Sequence, residues 1–241
     1  GLDKSVRIWD ASSGQTALPP IQNRFPVFGV AFDSSGDRIA CCGDSIGIKN
    51  EQIAIWDARS GKLLRNLFTS NQPNGSRIWS VSFSPDGKRI ACGGDFTAVW
   101  NAESGAEIVK MKRLSPLVHG VAFSPNGKNI ATAGADRMTF VRDAATGDVI
   151  STMKGHTSIV YSVAFHPNGE RLVTCGRDGS VRLWDVLSGR EMSVFRGHQK
   201  EVMCAEFSPD GRQLASADWQ GVINVWNAES PQEPLTLQTP D

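Results

Sequence analysis

The sequence predicts an all-β chain built from repeated four-stranded antiparallel units. Two periodic signatures and one absence carry that reading. A tryptophan followed by Asp or Asn recurs at Trp9, Trp56, Trp100, Trp184 and Trp226, and Arg142 takes the tryptophan's place in "VRDAATG". The successive spacings of 47, 44, 42, 42 and 42 residues match the chain length that four short strands and their turns consume. A second signature keeps step with the first: "VAFDSSG", "VSFSPDG", "VAFSPNG", "VAFHPNG" and "AEFSPDG", ending at Gly36, Gly87, Gly127, Gly169 and Gly211. No segment sustains the 3.6-residue apolar period of an amphipathic helix.

Each element follows from local chemistry. In "SPDG" the proline presets the first turn angle, Asp or Asn tolerates the next, and glycine supplies a positive φ, so the tetrapeptide joins two antiparallel strands, a and b. In the fifth repeat "IVYSVAF" reads as strand a, "RLVTCG" as b, "SVRLWD" as c and "EMSVFRG" as d, each of ordinary strand length. Four strands at this period make one blade of a β-propeller. The opening "GLDKSVRIWDASSG" repeats the internal "GRDGSVRLWDVLSG" that starts at Gly176, so residues 1–22 read as strands c and d of a half blade. Five complete blades are expected over about 23–68, 77–111, 114–154, 156–196 and 198–238, with "PLTLQ" near Leu235 as the last strand d. On this count a fragment of a larger propeller of about seven blades is the expectation; a six-bladed ring with one defective blade is the alternative.

Composition narrows the function classes. With 40% hydrophobic residues over 241 positions, the chain can bury a sizeable core. Lys plus Arg and Asp plus Glu both total 25, and no run of like charge forms a basic footprint, which argues against nucleic acid and anionic membrane as partners. The longest apolar stretch, "FPVFGVAF" at Phe25–Phe32, is far short of the roughly 18 residues of a membrane span. Five cysteines without C-x-x-C spacing argue against a disulfide scaffold or zinc site and favour a reducing, cytoplasmic setting. No metal or cofactor is expected.

Through Gly155-His156 and Gly197-His198, the Trp-Asp pairs and the "SPDG" turns, the sequence resembles the WD-repeat β-propeller family over nearly its whole length. The resemblance implies that His156, Thr174, Asp178 and Trp184 form a structural tetrad, in which the imidazole bridges the aspartate and the hydroxyl and the hydroxyl meets the indole N–H. On paper this is also a Ser/Thr-His-Asp set, but burial and the lack of an oxyanion hole favour the structural role. The sixth blade keeps His198, Ser216 and Trp226 with Gln220 at the aspartate position; the fourth has Thr132 and Asp136 but Leu114 and Arg142. In the second and third blades Cys41 and Cys92 hold the hydroxyl position, as small buried strand residues.

Loop lengths divide the two rims. From the strand a phenylalanine to the turn glycine the count is always four, and from the tryptophan position to the c–d glycine it is five until Pro231 replaces that glycine. All internal length variation falls on the rim that carries the b–c and d–a loops. The enlarged stretches there are "DSIGIKNEQ" (Asp44–Gln52) and "TSNQPNGS" (Thr69–Ser76), which should be neighbours. Such variation suits a recognition face on a rigid scaffold; drift in exposed loops is the bland reading.

Strand a points to the same rim. Its apolar positions are spaced three then two, as in Val160, Val163 and Phe165, which implies a β-bulge. The first bulge positions are Phe28, Trp79, His119, Tyr161 and Met203, rich in side chains that anchor interfaces. Arg177 and Trp219 lie in b–c turns, and Arg77, Ile159 and Glu201 stand two residues before bulge positions, where they would add specificity. The resulting expectation is a non-catalytic scaffold that binds a protein or peptide on this rim, as part of a larger multidomain signalling or assembly protein of the kind the family often contains. A propeller enzyme or small-ligand sensor using the central opening is the alternative. It would need converging carboxylates, histidines or a metal site, and the bulge positions offer His119 alone. Oligomeric state is left open.

Overall fold

The computed structural model describes residues 1–48, 51–68 and 76–238. It divides into two compact units, Gly1–Met111 and Lys112–Asp241. The first opens with a two-stranded antiparallel sheet, β1 (Ser5–Val6) and β2 (Ile21–Gln22). Two four-stranded sheets follow: β3 (Val27–Phe32), β4 (Arg38–Gly43), β5 (Ile53–Asp57) and β6 (Leu63–Leu67), then β7 (Ile78–Phe83), β8 (Arg89–Gly94), β9 (Thr97–Asn101) and β10 (Glu107–Lys110). The second unit holds three more. They are β11 (Val118–Phe123), β12 (Asn129–Gly134), β13 (Met138–Asp143) and β14 (Val149–Lys154); β15 (Val160–Phe165), β16 (Arg171–Gly176), β17 (Ser180–Asp185) and β18 (Glu191–Arg196); and β19 (Val202–Phe207), β20 (Gln213–Asp218), β21 (Val222–Asn227) and β22 (Ser230–Gln238). Every sheet runs in chain order with antiparallel neighbours, so the fold is all-β, with five full blades and a half blade. No helix is long and apolar enough to cross a membrane among the described residues.

The turns form for the reasons their residues supply. In the a–b turn of the fifth blade Gly169 has φ 77° and donates its N–H to the His166 carbonyl at 2.8 Å. In its c–d turn the residue after tryptophan is the organiser: Asp185 Oδ1 accepts the Ser188 N–H at 2.8 Å, and the chain then passes through Gly189 at φ 67°. Asp57, Asn101 and Asp143 repeat this Asx arrangement with Ser60, Ser104 and Thr146. The Trp-Asp/Asn pair is therefore a packing residue followed by a turn former.

The core lies between successive blades of a unit, where strand a of one blade packs on strands a and b of the blade before. In the first unit Val81 and Phe83 are buried against Ala40, Cys42, Ile53 and Ile55. In the second, Val160 and Val163 pack with Ala131, Ala133 and Val141, and Val202 and Ala205 with Val173, Cys175 and Leu183. Strand β3 follows only the two-stranded sheet, and Val30 and Phe32 are 54% and 51% exposed where Val81 and Phe83 are 7% and 8%. The neighbour, not the residue type, decides burial.

Arg142 is buried in place of a tryptophan. Its Nη1 donates to the Lys112 carbonyl at 2.9 Å and its guanidinium lies over Phe140, yet its Nε finds no partner among the described residues. A buried unsatisfied donor costs about 1–3 kcal/mol. Amide exchange should therefore be faster in β13 and β14 than in β17 and β18, by mass spectrometry of the deuterated chain. Equal protection would remove this account of the fourth blade.

Candidate functional site

The tetrad of the fifth blade is a continuous donor chain. Trp184 Nε1 donates to Thr174 Oγ1 at 2.7 Å, the threonine hydroxyl faces His156 Nε2 at 2.8 Å, and His156 Nδ1 faces Asp178 Oδ2 at 2.9 Å. With Thr174 already accepting from the indole, its hydroxyl proton goes to Nε2, and Nδ1–H goes to the carboxylate. Burial opposes ionisation of Asp178, but hydrogen bonds from His156 and Ser180, the imidazole and the Thr157 N–H outweigh it and hold its pKa well below the ordinary carboxylate value. Thr174 has no exposed surface. A hydroxyl sealed in this way cannot attack a substrate, so the set holds strands together.

The sixth blade builds the same chain with a different aspartate. Trp226 Nε1 and His198 Nε2 both lie 2.8 Å from Ser216 Oγ, and His198 Nδ1 lies 3.1 Å from Asp218 Oδ2. Gln220 is thus not a defect in the tetrad: the carboxylate comes from two residues earlier, at the end of β20. Asp218 Oδ1 also accepts the N–H groups of Gln220 and Val222 at 2.9 and 3.1 Å, so the acid organises the b–c turn as well. In the fifth blade this position is Gly176, where a Cβ would meet the Ile159 carbonyl oxygen at 2.2 Å.

The second blade carries a variant that no motif flagged. Asn23 Oδ1 accepts from Trp56 Nε1 at 3.1 Å and from the Cys41 thiol at 3.0 Å. Asn23 precedes Cys41 by 18 residues, as His156 precedes Thr174 and His198 precedes Ser216, and that interval was the available signal. Burial pushes the Cys41 and Cys92 thiols up to about 12, which removes the thiolate that nucleophilic or metal chemistry needs. Among the described residues no group of three or more His, Cys, Asp or Glu could hold a metal ion.

The bulges fall where the apolar spacing places them. The register shifts between Val27 and Gly29, Ile78 and Ser80, Val118 and Gly120, Val160 and Ser162, and Val202 and Cys204. Each shift leaves Phe28, Trp79, His119, Tyr161 or Met203 as the extra residue, and all five are half-buried. In the first unit Phe28 and Trp79 stack at 4.5 Å with 14° between their planes. Arg77 pairs with Asp44 across an isolated bridge, and Ser45 Oγ donates to the Ser76 carbonyl at 2.9 Å, so the described ends of the two enlarged loops are neighbours. Residues 49–50 and 69–75 of those loops lie outside the described residues.

The second unit gathers more of the set. His119 and Tyr161 meet edge to face at 5.6 Å, and Tyr161 Oη donates to Glu201 Oε2 at 2.9 Å. Arg177 Nε pairs with Glu201 Oε1 at 2.9 Å. Burial lowers the pKa of His119, and burial with the Glu201 hydrogen bond raises that of Tyr161. Tyr161, Arg177, Lys200, Glu201 and Trp219 line an open cavity of about 450 Å³. Ile159 contributes its carbonyl, which fixes the Arg177 N–H at 2.8 Å, and Met203 stays at its bulge. Lys200 is the lining residue that the sequence did not single out.

Comparison with known proteins agrees with the repeat architecture. The chain is 32% identical over 85 residues to "Cell division cycle 20.1, cofactor of APC complex" of Arabidopsis thaliana, across 34% of this chain and 17% of that protein. It is 29% identical over 105 residues to "WD repeat-containing protein VIP3" of Arabidopsis thaliana, across 38% of this chain and 30% of that protein. The matched stretches thus span less than a third of either relative. The WD40 model, "WD domain, G-beta repeat", matches residues 61–100, 112–143, 147–185 and 189–227. The last two stretches take in the buried donor chains of the fifth and sixth blades, the four together cover more than half of the chain, and the chain belongs to the WD40 family.

Proposed function

We propose that this protein is a non-catalytic scaffold that binds a protein or peptide on the rim of the b–c and d–a loops, within a larger signalling or assembly protein of the cytoplasm. WD40 propellers generally mediate protein–protein interactions, and fold alone does not name a site. The observation that carries this reading is the cavity of about 450 Å³ whose lining comes from two b–c turns, a d–a loop and a bulge. Trp219 stands 72% exposed beside it, and a large aromatic presented to solvent on an otherwise ordered turn is a ready anchor worth about 2 kcal/mol or more when covered. The name of one relative, a cofactor of a complex, and the buried free thiols of Cys41, Cys42, Cys92 and Cys175 support the assembly and compartment parts of the proposal.

The test compares proteins retained from source lysate by this chain and by a folded variant with Trp79, Tyr161, Met203 and Trp219 all changed to alanine. A protein held by the first and lost by the second, identified by mass spectrometry, is the expected result. Identical captures would move recognition to another surface.

A further inference from the structure

The cavity beside Trp219 has a definite charge character. Glu201 is the one carboxylate in its lining, and both of its oxygens are engaged, Oε2 by the Tyr161 hydroxyl and Oε1 by Arg177 Nε. The nearby Asp178 is turned inward, held by His156, Thr157 and Ser180. Two cations complete the lining: Arg177 spends one nitrogen on Glu201, and Lys200 is exposed with no ion pair among the described residues. The lining therefore carries one positive charge in excess. The backbone under it is fixed, because Trp219 N–H donates to the Glu201 carbonyl at 2.9 Å and Arg177 N–H to that of Ile159 at 2.8 Å.

From this geometry we infer that the cavity takes an acidic peptide segment, with a carboxylate side chain on Lys200 and the outer edge of Arg177, and an apolar or aromatic neighbour across the indole of Trp219. A carboxylate suits the planar fork of a guanidinium and a point ammonium together. A cationic segment would have to displace Arg177 from Glu201 before it found an acceptor. Two cations on a chain of zero net charge are too few for a nucleic acid backbone. The inference rests on the rim reading proposed above and adds the chemistry of the partner.

The experiment uses the full chain and fluorescein-labelled peptide pools of about twelve residues, read by anisotropy at low and physiological salt. In one pool every peptide carries Asp or Glu beside Phe, Leu or Trp; matched pools carry Lys, or Asn and Gln, at the acidic positions. The acidic pool is expected to bind at least about tenfold more tightly than the neutral one, with the margin shrinking as salt rises. Lys200→Glu, which breaks no described ion pair, should remove that margin, and Trp219→Ala should weaken both pools. Equal binding of acidic and neutral pools, both lost in Trp219→Ala, would overturn the acidic chemistry and leave the rim reading standing. Preference for the basic pool, or no binding by any pool, would overturn the inference. An acidic preference lost in Lys200→Glu, combined with lysate captures that ignore the rim variant, would sustain this site while the wider rim reading fails.

Discussion

Trp184→Ala is expected to destabilise the chain by about 3–5 kcal/mol, the range for removing a buried large aromatic. Trp184 is 1% exposed and packs with Val160, Val163, Leu172 and Val186, so its loss opens a cavity between the fourth and fifth blades. It also removes the indole N–H from Thr174 Oγ1, leaving a buried hydroxyl with one partner where it had two. Urea unfolding followed by far-ultraviolet circular dichroism measures the loss. Trp9→Ala is the matched control: Trp9 occupies the same repeat position but is 56% exposed, so its change should stay within about 0.5 kcal/mol. Similar losses in the two variants would mean that the repeat position itself, rather than burial against a preceding blade, carries the stability.

Asp218→Ala should cost about 3 kcal/mol near neutral pH, whereas Gln220→Ala should change stability by less than about 0.5 kcal/mol. Asp218 has a side chain 2% exposed and holds His198, Gln220 N–H and Val222 N–H together. Burial works against its ionisation, but the His198 bond and the two backbone N–H groups prevail, and its pKa lies below the ordinary carboxylate value. A group whose folded-state pKa is depressed stabilises fully above its unfolded value of about 3.9 and loses that contribution as pH falls through the folded value. The gap between the parent and Asp218→Ala should therefore be constant from pH 7 down to about 5 and close in acid. A gap that persists unchanged in acid, or a large loss in Gln220→Ala, would return the tetrad role to Gln220.

Much of the fold and part of the site were legible in the chain itself. The a–b turns were legible because a proline, an Asx residue and a glycine set backbone angles within four residues, and Gly169 adopts the positive φ that such a turn requires. The five bulges were legible because a three-then-two apolar spacing admits one extra residue in strand a, and each register shift falls there. The family pattern points to His156, Thr174, Asp178 and Trp184, and these four lie in a chain of contacts of 2.7 to 2.9 Å.

Motif alignment failed where a side chain reaches its partner from a different backbone position. Asp218 and Gln220 are two residues apart, and equivalence by position selects the wrong one, because a carboxylate at the end of β20 folds over the turn to reach His198. Asn23 carries no motif because its amide oxygen takes the Cys41 thiol as an imidazole takes the hydroxyl elsewhere, and accepts the Trp56 N–H as well, which in the fifth and sixth blades goes to the hydroxyl. Lys200 and the pairing of Arg177 with Glu201 needed the cavity, since residues 161, 177, 201 and 219 come from four segments that only packing brings together. The sequence by itself determined the blade period, its turns and its bulges, because these depend on backbone preferences acting within a few residues. Only the tertiary structure decided which acid completes each buried chain, which tryptophans are covered and what charge the rim cavity presents, because those depend on atoms far apart in sequence meeting within hydrogen-bond distance.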